Sequence, residues 1–289
     1  MYFSIVIPCY NNAKTLGRTL DSVLAQRNFL KEIILIDDGS TDNTALITQP
    51  YLSPLIQYHV QENGGPAKAR NHGARLATGD YVMFLDADDT LCEDALAHFH
   101  HAFQHEQDTK VIIAGYCAVH DTYRKDRVLK PYPNREALLK GLWFGEFSLN
   151  GGMAAIRTPV LKNCEYPETI RHGEDTVFFS HIIAQYGAKI LPSLSVNIYH
   201  HPSSLRNQQA SILKDQDALV NLLFNTQYLS PTLMAYKPAF HANKLISLAK
   251  TAVNIDQKPL ARQFLKKAVT LHPSSLLSTK ALKICFRAW

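Results

Sequence analysis

Three carboxylates at the end of a short apolar run form the most specific chemical pattern in the chain. Residues 81–85 are an unbroken apolar and aromatic run, typical of a buried strand, and Asp86, Asp88 and Asp89 follow it directly. Carboxylates this close repel one another and are costly to bury. A divalent cation relieves both costs, and oxygen ligands suit Mg²⁺ or Mn²⁺, with substrate phosphates completing the shell. The pattern therefore predicts a metal-diphosphate site.

A simpler interpretation of the same acids needs no ligand. A helix is predicted to begin near Glu93, and Asp89 or Thr90 could cap its amino end. A cap accounts for one acid but not for three acids after a hydrophobic strand, so we favour the cation.

Composition limits the class of protein. The chain has 289 residues, 46% of them apolar and 19% charged, as in a folded soluble protein with one large core and an appendage. Its five scattered cysteines include no Cys-x-x-Cys, which argues against a disulfide framework or thiolate zinc site and predicts a reducing compartment. We expect neither a signal peptide nor a membrane-spanning helix.

The elements that must position the acids alternate along the first part of the chain. Strand patterns at residues 3–7, 32–36, 56–60 and 81–85 are separated by helical patterns, which predicts a mostly parallel sheet. Ligands of such sheets bind beyond the carboxyl ends of the strands. Polar residues follow three of these ends, at residues 10–12, 37–39 and 86–89, so we expect them to converge on one edge.

Four motifs carry a family resemblance, namely residues 5–11, 36–42, 63–71 and 84–89. In this order and spacing they resemble the family 2 glycosyltransferases of GT-A fold. The resemblance covers about the first 205 residues. It implies an α/β fold, with a GT-A catalytic domain over residues 1–205 and a helical C-terminal region over residues 206–289.

The resemblance implies roles for the residues in these motifs. Tyr10 would stack on the base, and Asp38 would accept a hydrogen bond from a uracil-type N3–H. Asp86 would lie against the ribose and metal, and Asp88 would be the direct metal ligand. Further nucleotide-sugar contacts are expected at Pro8, Asn12, Gly65 and Ala87.

Two cations lie on the first turns of a helix behind a glycine turn. Lys68 and Arg70 are placed there to meet phosphate together with backbone N–H groups. Arg70 could equally pair with one of the acids, and Tyr10 could simply pack at a strand end.

A second acidic pair, Glu174 and Asp175, precedes a helical pattern. The resemblance implies that the Asp of this pair is the catalytic base, so Asp175 is the first choice and Glu174 the second. Acids also stabilise a helix start, which is the simpler interpretation. The resemblance further suggests that His201 contacts metal or phosphate, although an ordinary loop histidine remains an alternative.

Of three other segments, two have two interpretations each. Residues 121–127 are interpreted as a charged, mobile loop, and residues 143–147 as an aromatic loop in which Trp143 is either a sugar platform or part of the core. His101 and His105 have the i, i+4 spacing of a metal pair, but no third ligand is evident, which favours solvated histidines.

Charge distinguishes the end of the chain from the rest. Residues 231–289 carry a formal charge of +9. Since the whole chain has a net charge of +5, the remainder carries −4. Basic amphipathic helices with Trp289 at the end suit an anionic membrane surface. A packed hairpin with a solvated basic rim and a protein-partner module are the alternatives. Without a nucleic-acid-binding motif, we expect no nucleic acid partner.

The sequence as a whole predicts an inverting, Mn²⁺- or Mg²⁺-dependent glycosyltransferase. It would move a sugar from a nucleotide-sugar, with a UDP-sugar favoured, to a hydroxyl of a glycan or lipid-linked glycan, in the cytoplasm or at the inner membrane face. The rival is a non-catalytic sugar-nucleotide-binding partner of an assembly complex. Nucleotidyl transfer is set aside because Pro8 follows the first strand where a glycine-rich loop is needed.

Overall fold

A computed structural model of the chain describes residues 1–200, 216–277, 282, 284 and 285. Nine strands in this part form one sheet: β1 Phe3–Cys9, β2 Leu30–Asp37, β3 Ile56–Val60, β4 Tyr81–Phe84, β5 Thr90–Leu91, β6 Val111–Val119, β7 Arg124–Arg127, β8 Ala154–Arg157 and β9 Lys189–Tyr199. The helices of the same part are α1 Leu16–Leu24, α2 Thr44–Thr48, α3 Pro66–Leu76, α4 Ala95–His105, α5 Arg135–Phe144, α6 Glu174–Tyr186, α7 Gln216–Leu223, α8 Pro231–Met234, α9 Lys237–Asn254 and α10 Lys258–Leu271.

The order of the strands brings several loops to one edge of the sheet. The order is β3-β2-β1-β4-β8-β6-β9-β5, and β7 pairs with β6. The first four strands are parallel, β8 is antiparallel to both of its neighbours, and β6 and β9 are parallel to each other. Because β8 is antiparallel to both β4 and β6, β6 runs in the same direction as β4, and so does β9. The carboxyl ends of β1, β2, β4, β6 and β9 therefore point in one direction, as predicted for the first strands.

Close packing fixes α3 against the centre of the sheet. Every residue of β1 is buried, which explains why the strand is apolar on both faces. A Cβ added at Gly73 of α3 would come within 2.3 Å of Cγ1 of Val6. The absence of a side chain at Gly73 thus lets the helix that carries Lys68 and Arg70 lie directly on β1.

The prediction of a mobile loop at residues 121–127 is wrong for residues 124–127. Residues 124–127 form β7, which pairs antiparallel with β6 from Tyr116↔Arg127 to Val119↔Arg124. All four side chains of β7 are exposed, so the strand lacks the alternation of apolar and polar residues that would have identified it. Backbone pairing with β6 is what orders it.

The chain divides into two compact units. The first comprises Met1–Leu142 with Phe147–His201, and the second comprises Trp143–Glu146 with Pro202–Trp289. The predicted boundary after residue 205 falls outside the described residues and stays a prediction; the sequence did not assign residues 143–146 to the second unit. Trp143 is the last residue but one of α5, not part of a loop.

The second unit has its own apolar core in its described residues. Trp143 is 2% exposed and packs on Phe224 and Phe240, with ring centroids 5.1 and 6.4 Å away. The interpretation of Trp143 as a sugar platform is therefore wrong, and the core alternative holds. The predicted apolar stripe of α10 packs with α9 in one cluster that includes Ala261 and Leu265.

Two expectations about the whole chain can be checked against this fold. All five cysteines are free thiols in this structure. Within the described residues, no helix combines the length and the apolar character that crossing a bilayer requires.

Candidate active site

Asparagine side chains fix the loops that follow β1 and β2. Asn11 adopts a left-handed backbone conformation with φ 55°, and its Oδ1 accepts hydrogen bonds from the N–H groups of Thr41 (2.8 Å) and Asp42 (3.2 Å). Oδ1 of Asn12 accepts one from the N–H of Tyr10 at 2.8 Å. Tyr10 is exposed at this edge. The ring that the sequence assigned to base stacking is thus presented to solvent on an ordered loop and is not packed at a strand end.

Asp38 connects the end of β2 to the glycine turn before α3. Its Oδ1 accepts hydrogen bonds from Gln61 Nε2 (2.7 Å) and the N–H of Gly64 (2.9 Å), and its Oδ2 accepts one from the N–H of Gly65 (2.7 Å). Gly65 has φ 89°, a conformation that favours glycine. These contacts take three of the roughly four acceptor positions of a carboxylate. The predicted contact with a base N–H would use the remaining one.

The two cations of α3 have different surroundings. Lys68 is exposed in the first turn, and a Cβ on Gly64 would lie 2.3 Å from its Cδ, so the glycine lets the lysine stem cross the turn. Arg70 is 4% exposed and donates to Asp86 Oδ1 (2.8 Å) and Glu174 Oε1 (3.1 Å). For Arg70 the ion-pair interpretation is the one the structure shows, whereas Lys68 keeps the position predicted for a phosphate contact.

Arg70 therefore joins the acids after β4 to the acids that begin α6. Its Nη1 also lies 4.0 Å from Oδ1 of Asp175. Burial alone would lower the pKa of Arg70, but Asp175 and Asp86 raise it well above its ordinary value. The guanidinium is a fixed positive charge shared by three carboxylates that are distant in sequence.

Asp175, the predicted base, is largely buried next to two other carboxylates. Its side chain is 23% exposed, while its Oδ1 is buried. Burial raises its pKa to about 7 from an ordinary 3.8; Arg70 opposes this rise, and Glu174 and Asp86 add to it. A base is most effective when its pKa lies near the working pH. Glu174 accepts the hydrogen bond from Arg70, which makes it the partner of the cation and leaves Asp175 as the first choice for the base.

Side chains of α1 fix the loop after β4, which we call the acid loop (residues 86–89). Hydroxyl groups of Thr15 and Thr19 donate to the carbonyl oxygen of Ala87 at 2.8 and 3.0 Å. Arg18 Nη2 donates to the carbonyl oxygen of Asp88 at 2.8 Å. Since α1 holds two successive carbonyl groups of the loop, it also limits the directions in which the acidic side chains leave the backbone.

Asp89 has a structural contact and is not the cap of α4. Its Oδ1 accepts a hydrogen bond from the N–H of Tyr199, at the end of β9, at 2.9 Å. The N-cap position of α4 is Asp94, and Thr90 belongs to β5. Asp89 thus joins the acid loop to β9, and the capping interpretation of these residues is wrong.

Comparison with known protein families gives a match over the first part of the chain. Residues 4–164 match the model described as glycosyl transferase family 2. The chain belongs to this family. The match spans β1 to β8 and includes the acid loop, whereas Glu174 and Asp175 lie beyond its end.

Curated relatives of family 2 match the same part of the chain. The glycosyltransferase GlyG of Streptococcus pneumoniae serotype 4 is 35% identical over 116 residues, 39% of this chain and 38% of that protein. The poly-beta-1,6-N-acetyl-D-glucosamine synthase of Staphylococcus aureus (strain COL) is 41% identical over 105 residues, 36% of this chain and 26% of that protein. The matches thus span well under half the length of these relatives.

Solved structures of low identity show the fold. TarS 1-349 of S. aureus superimposes with a TM-score of 0.63 and 19% identity, covering 95% of this chain and 91% of that one. A mannosyltransferase of Pyrobaculum calidifontis gives a TM-score of 0.58 and 20% identity, covering 99% and 85%. The predicted GT-A fold and family 2 membership are confirmed.

The donor set of the family 2 acid loop fits a cation that substrate helps to bind. Asp86 and Asp88 are partly exposed carboxylates two residues apart, and one oxygen of Asp86 is engaged by Arg70. Among the described residues, no three His, Cys, Asp or Glu side chains form a group that could hold a metal on their own. Mg²⁺ and similar ions are commonly held by one or two carboxylates plus phosphates and water. Metal binding at Asp86 and Asp88 remains a prediction.

Of the three histidines considered above as ligands, two lie in the described part of the chain and one does not. His201 lies outside the described residues. His101 and His105 are exposed on α4, with their Nε2 atoms 3.2 Å apart. No third ligand joins them within the part of the chain that the structure describes.

Sequence reasoning missed a clamp, here meaning the pair of hydrogen bonds by which Asn71 holds the backbone of Tyr166. Asn71 donates from Nδ2 to the carbonyl oxygen of Tyr166 (2.9 Å) and accepts at Oδ1 from its N–H (2.8 Å). The Tyr166 ring stacks on Phe178 at 3.8 Å, and the Arg70 guanidinium carbon lies 5.1 Å from the ring centroid. Asn71 ends a motif that carried the family resemblance, but Tyr166 lies in no recognisable pattern.

Replacing Asn71 by alanine should lower the free energy of unfolding by about 2–4 kcal/mol, because two buried backbone groups of Tyr166 lose their partner. Urea denaturation measures this. Asn43→Ala is the matched control, since Asn43 is exposed and makes no capping hydrogen bond through its side chain; it should change stability by less than about 0.5 kcal/mol. Equal effects of the two substitutions would show that the clamp contributes nothing.

Proposed function

We propose that the protein is an inverting, metal-dependent glycosyltransferase that moves a sugar from a nucleotide-sugar to a hydroxyl of a glycan or lipid-linked glycan. The observation that carries the proposal is the link through Arg70, which connects a carboxylate with a raised pKa, Asp175, to Asp86 of the acid loop. A base for the acceptor and a site for the donor diphosphate would then belong to one network.

The names of the relatives support the substrate class. One relative is a poly-beta-1,6-N-acetyl-D-glucosamine synthase. Structural neighbours include TarS in complex with UDP-GlcNAc, and the mannosyltransferase in complex with GDP-Man and Mn²⁺. We favour a UDP-sugar because the remaining acceptor position of the Asp38 carboxylate would take a hydrogen bond from a uracil-type N–H.

Each group of residues would have one task. Tyr10 stacks on the base, and Lys68 contacts phosphate at the start of α3. Asp86 and Asp88 would hold Mn²⁺ or Mg²⁺; when bound, the cation supplies positive charge that stabilises the leaving nucleoside diphosphate.

Asp175 takes the proton of the acceptor hydroxyl as that oxygen forms a bond to C1 of the sugar and the bond from C1 to the diphosphate breaks. A single displacement of this kind inverts the anomeric centre. The leaving diphosphate needs no proton from an acid, so one carboxylate base is sufficient.

Product formation tests the proposed activity. The protein is incubated with radiolabelled UDP-N-acetylglucosamine, UDP-glucose or UDP-galactose, Mn²⁺ and glycan acceptors, with Asp175→Asn as the control. The proposal expects labelled glycan from the wild type and none above background from the variant. Nucleotide binding without any product would instead indicate a non-catalytic sugar-nucleotide-binding partner.

A peripheral membrane location is part of the same proposal. Lys258, Arg262 and Lys266 follow one another at four-residue spacing on α10 and so form one basic stripe. Such a stripe suits an anionic surface. Co-sedimentation with phosphatidylglycerol vesicles, but not with phosphatidylcholine vesicles, is expected at low salt; equal recovery with both would contradict it. Trp289, which the sequence analysis placed at the end of this basic region, lies outside the described part of the chain.

A further inference from the structure

Three aromatic rings stack in a column, here called the ring column, formed by Tyr123, His120 and His200. The centroids of Tyr123 and His120 are 4.3 Å apart with planes 20° from parallel, and those of His120 and His200 are 4.2 Å apart at 9°. The N–H of His120 donates to the Tyr123 carbonyl oxygen at 2.9 Å, and the N–H of His200 donates to that of Val119 at 2.9 Å. Backbone pairing thus sets the register of the stacked rings.

The outer end of the column is open to solvent. Tyr123 is 55% exposed, although its ring is held by stacking. An exposed ring that is already ordered loses little further freedom when a ligand covers it, so it is pre-organised for binding. Its π face is electron-rich and suits a flat ligand surface of C–H groups.

Polar side chains belong to the ring column and to the adjoining strand. His120 is an imidazole next to Tyr123 in the column, and Arg124, whose Nη2 donates to Asn197 Oδ1 at 2.7 Å, begins β7 on the same hairpin. A pyranose ring has the matching chemistry, because one of its faces carries C–H groups and its rim carries hydroxyls. This combination favours a sugar over a purely apolar ligand.

The ring column is linked to the acid loop through Tyr199. His200 directly follows Tyr199, whose N–H is bound by Asp89. Arg18, which donates to the Asp88 carbonyl oxygen, lies over the Tyr199 ring at 3.6 Å from its centroid. The innermost ring of the column, that of His200, thus belongs to the residue next to the one whose backbone contacts the acid loop, and Tyr123 lies two ring stacks further out. Tyr10, the residue proposed to hold the base, projects instead from the end of β1.

We infer that the ring column binds a pyranose ring of the acceptor glycan, with Tyr123 as its stacking platform. The inference rests on the proposed function, because it assigns the acceptor side of that same site. It makes the hairpin of β6 and β7 a determinant of acceptor specificity, separate from the residues that would hold the donor.

The test compares glycan and nucleotide binding in the same variants. Wild type, Tyr123→Ala and Tyr123→Phe are applied to an array of bacterial surface oligosaccharides, and UDP affinity in Mn²⁺ is measured by calorimetry. Tyr2→Ala is the matched control, since Tyr2 is 51% exposed at the opposite, amino end of β1. We expect Tyr123→Ala to weaken the strongest glycan about tenfold, with Tyr123→Phe and Tyr2→Ala close to wild type and UDP affinity unchanged throughout.

Three results would overturn the inference. They are glycan binding that Tyr123→Ala leaves intact, a loss that falls on UDP and not on glycan, and a wild type that binds UDP but no glycan on the array. Failure of the wild type to bind UDP at all would contradict the proposed function itself. Unchanged melting temperatures would show that the variants are folded.

Discussion

Replacing Asp175 by asparagine is expected to lower kcat by about 10²–10⁴-fold, the usual contribution of a general base. Asparagine keeps the shape of the side chain but cannot take the acceptor proton. UDP affinity should change little, because Asp175 is not among the residues proposed to hold the nucleotide. Steady-state kinetics and calorimetry of UDP in Mn²⁺ measure the two effects. An Asp175→Asn variant that keeps its activity would refute the assignment of the base and direct attention to Glu174.

The same carboxylate predicts the pH dependence of the wild type. Because burial raises the pKa of Asp175 to about 7, with Glu174 and Asp86 adding to the rise against Arg70, the base is protonated and inactive in mildly acidic solution. The value of kcat/KM should therefore increase with pH and level off above a midpoint near 7. A profile that is flat between pH 5 and 8 would contradict this.

Stability gives a check on Asp175 that does not depend on activity. The pKa of Asp175 is about 7 in the folded state and 3.8 ordinarily, so between these pH values the folded protein binds more protons than the unfolded chain. The free energy of unfolding therefore falls as pH rises from about 3.8 to about 7. Asparagine removes this dependence, so Asp175→Asn should gain stability relative to the wild type between pH 4 and pH 8. Melting temperatures of both proteins at the two pH values test it, since the shared titrations cancel in the difference.

Arg70→Met should lower the free energy of unfolding by about 3–5 kcal/mol, the usual cost of removing one partner from a buried ion pair. Arg70 is 4% exposed and is paired with Asp86 and Glu174, so its loss leaves these carboxylates without their cation. The variant should also lose most transferase activity, because the acids on both sides of the site are then free to repel one another. Urea denaturation and kinetics measure the two losses.

Arg75→Met provides the matched control on the same helix. Arg75 is 56% exposed and pairs with Glu165 at 3.1 Å, a surface ion pair that contributes at most about 1 kcal/mol. If both arginine variants lost equal amounts of stability, the buried network around Arg70 would contribute no more to stability than a surface ion pair. Arg70→Lys separates charge from shape, because lysine keeps the charge but not the two-pronged geometry.

The sheet edge could be predicted because its signals are local. Short apolar strands, each followed by polar residues, identify β1, β2 and β4, and the crossover rule for parallel strands brings their ends together. The exposed strand β7 could not be found this way, because Arg124–Arg127 has no buried face and is ordered only by its pairing with β6.

The partners of individual side chains were beyond the sequence. Arg70 pairs with acids 16 and 104 positions away, and Asn71 holds a tyrosine backbone 95 positions away. The sequence supplied the alternative of an ion pair for Arg70 but not the choice of acids. Trp143 was ambiguous for the same reason, since its core partners Phe224 and Phe240 come from a distant part of the chain.

Calorimetric titration of UDP tests most directly whether the acid loop holds a cation on the donor diphosphate. The titration is run on the wild type with Mn²⁺, on the wild type with EDTA, and on Asp88→Asn with Mn²⁺. We expect saturable binding in the first case and affinity at least about tenfold weaker in the other two, a difference of about 1.4 kcal/mol or more. Binding of equal strength in all three, or no binding to the wild type with Mn²⁺, would contradict the account.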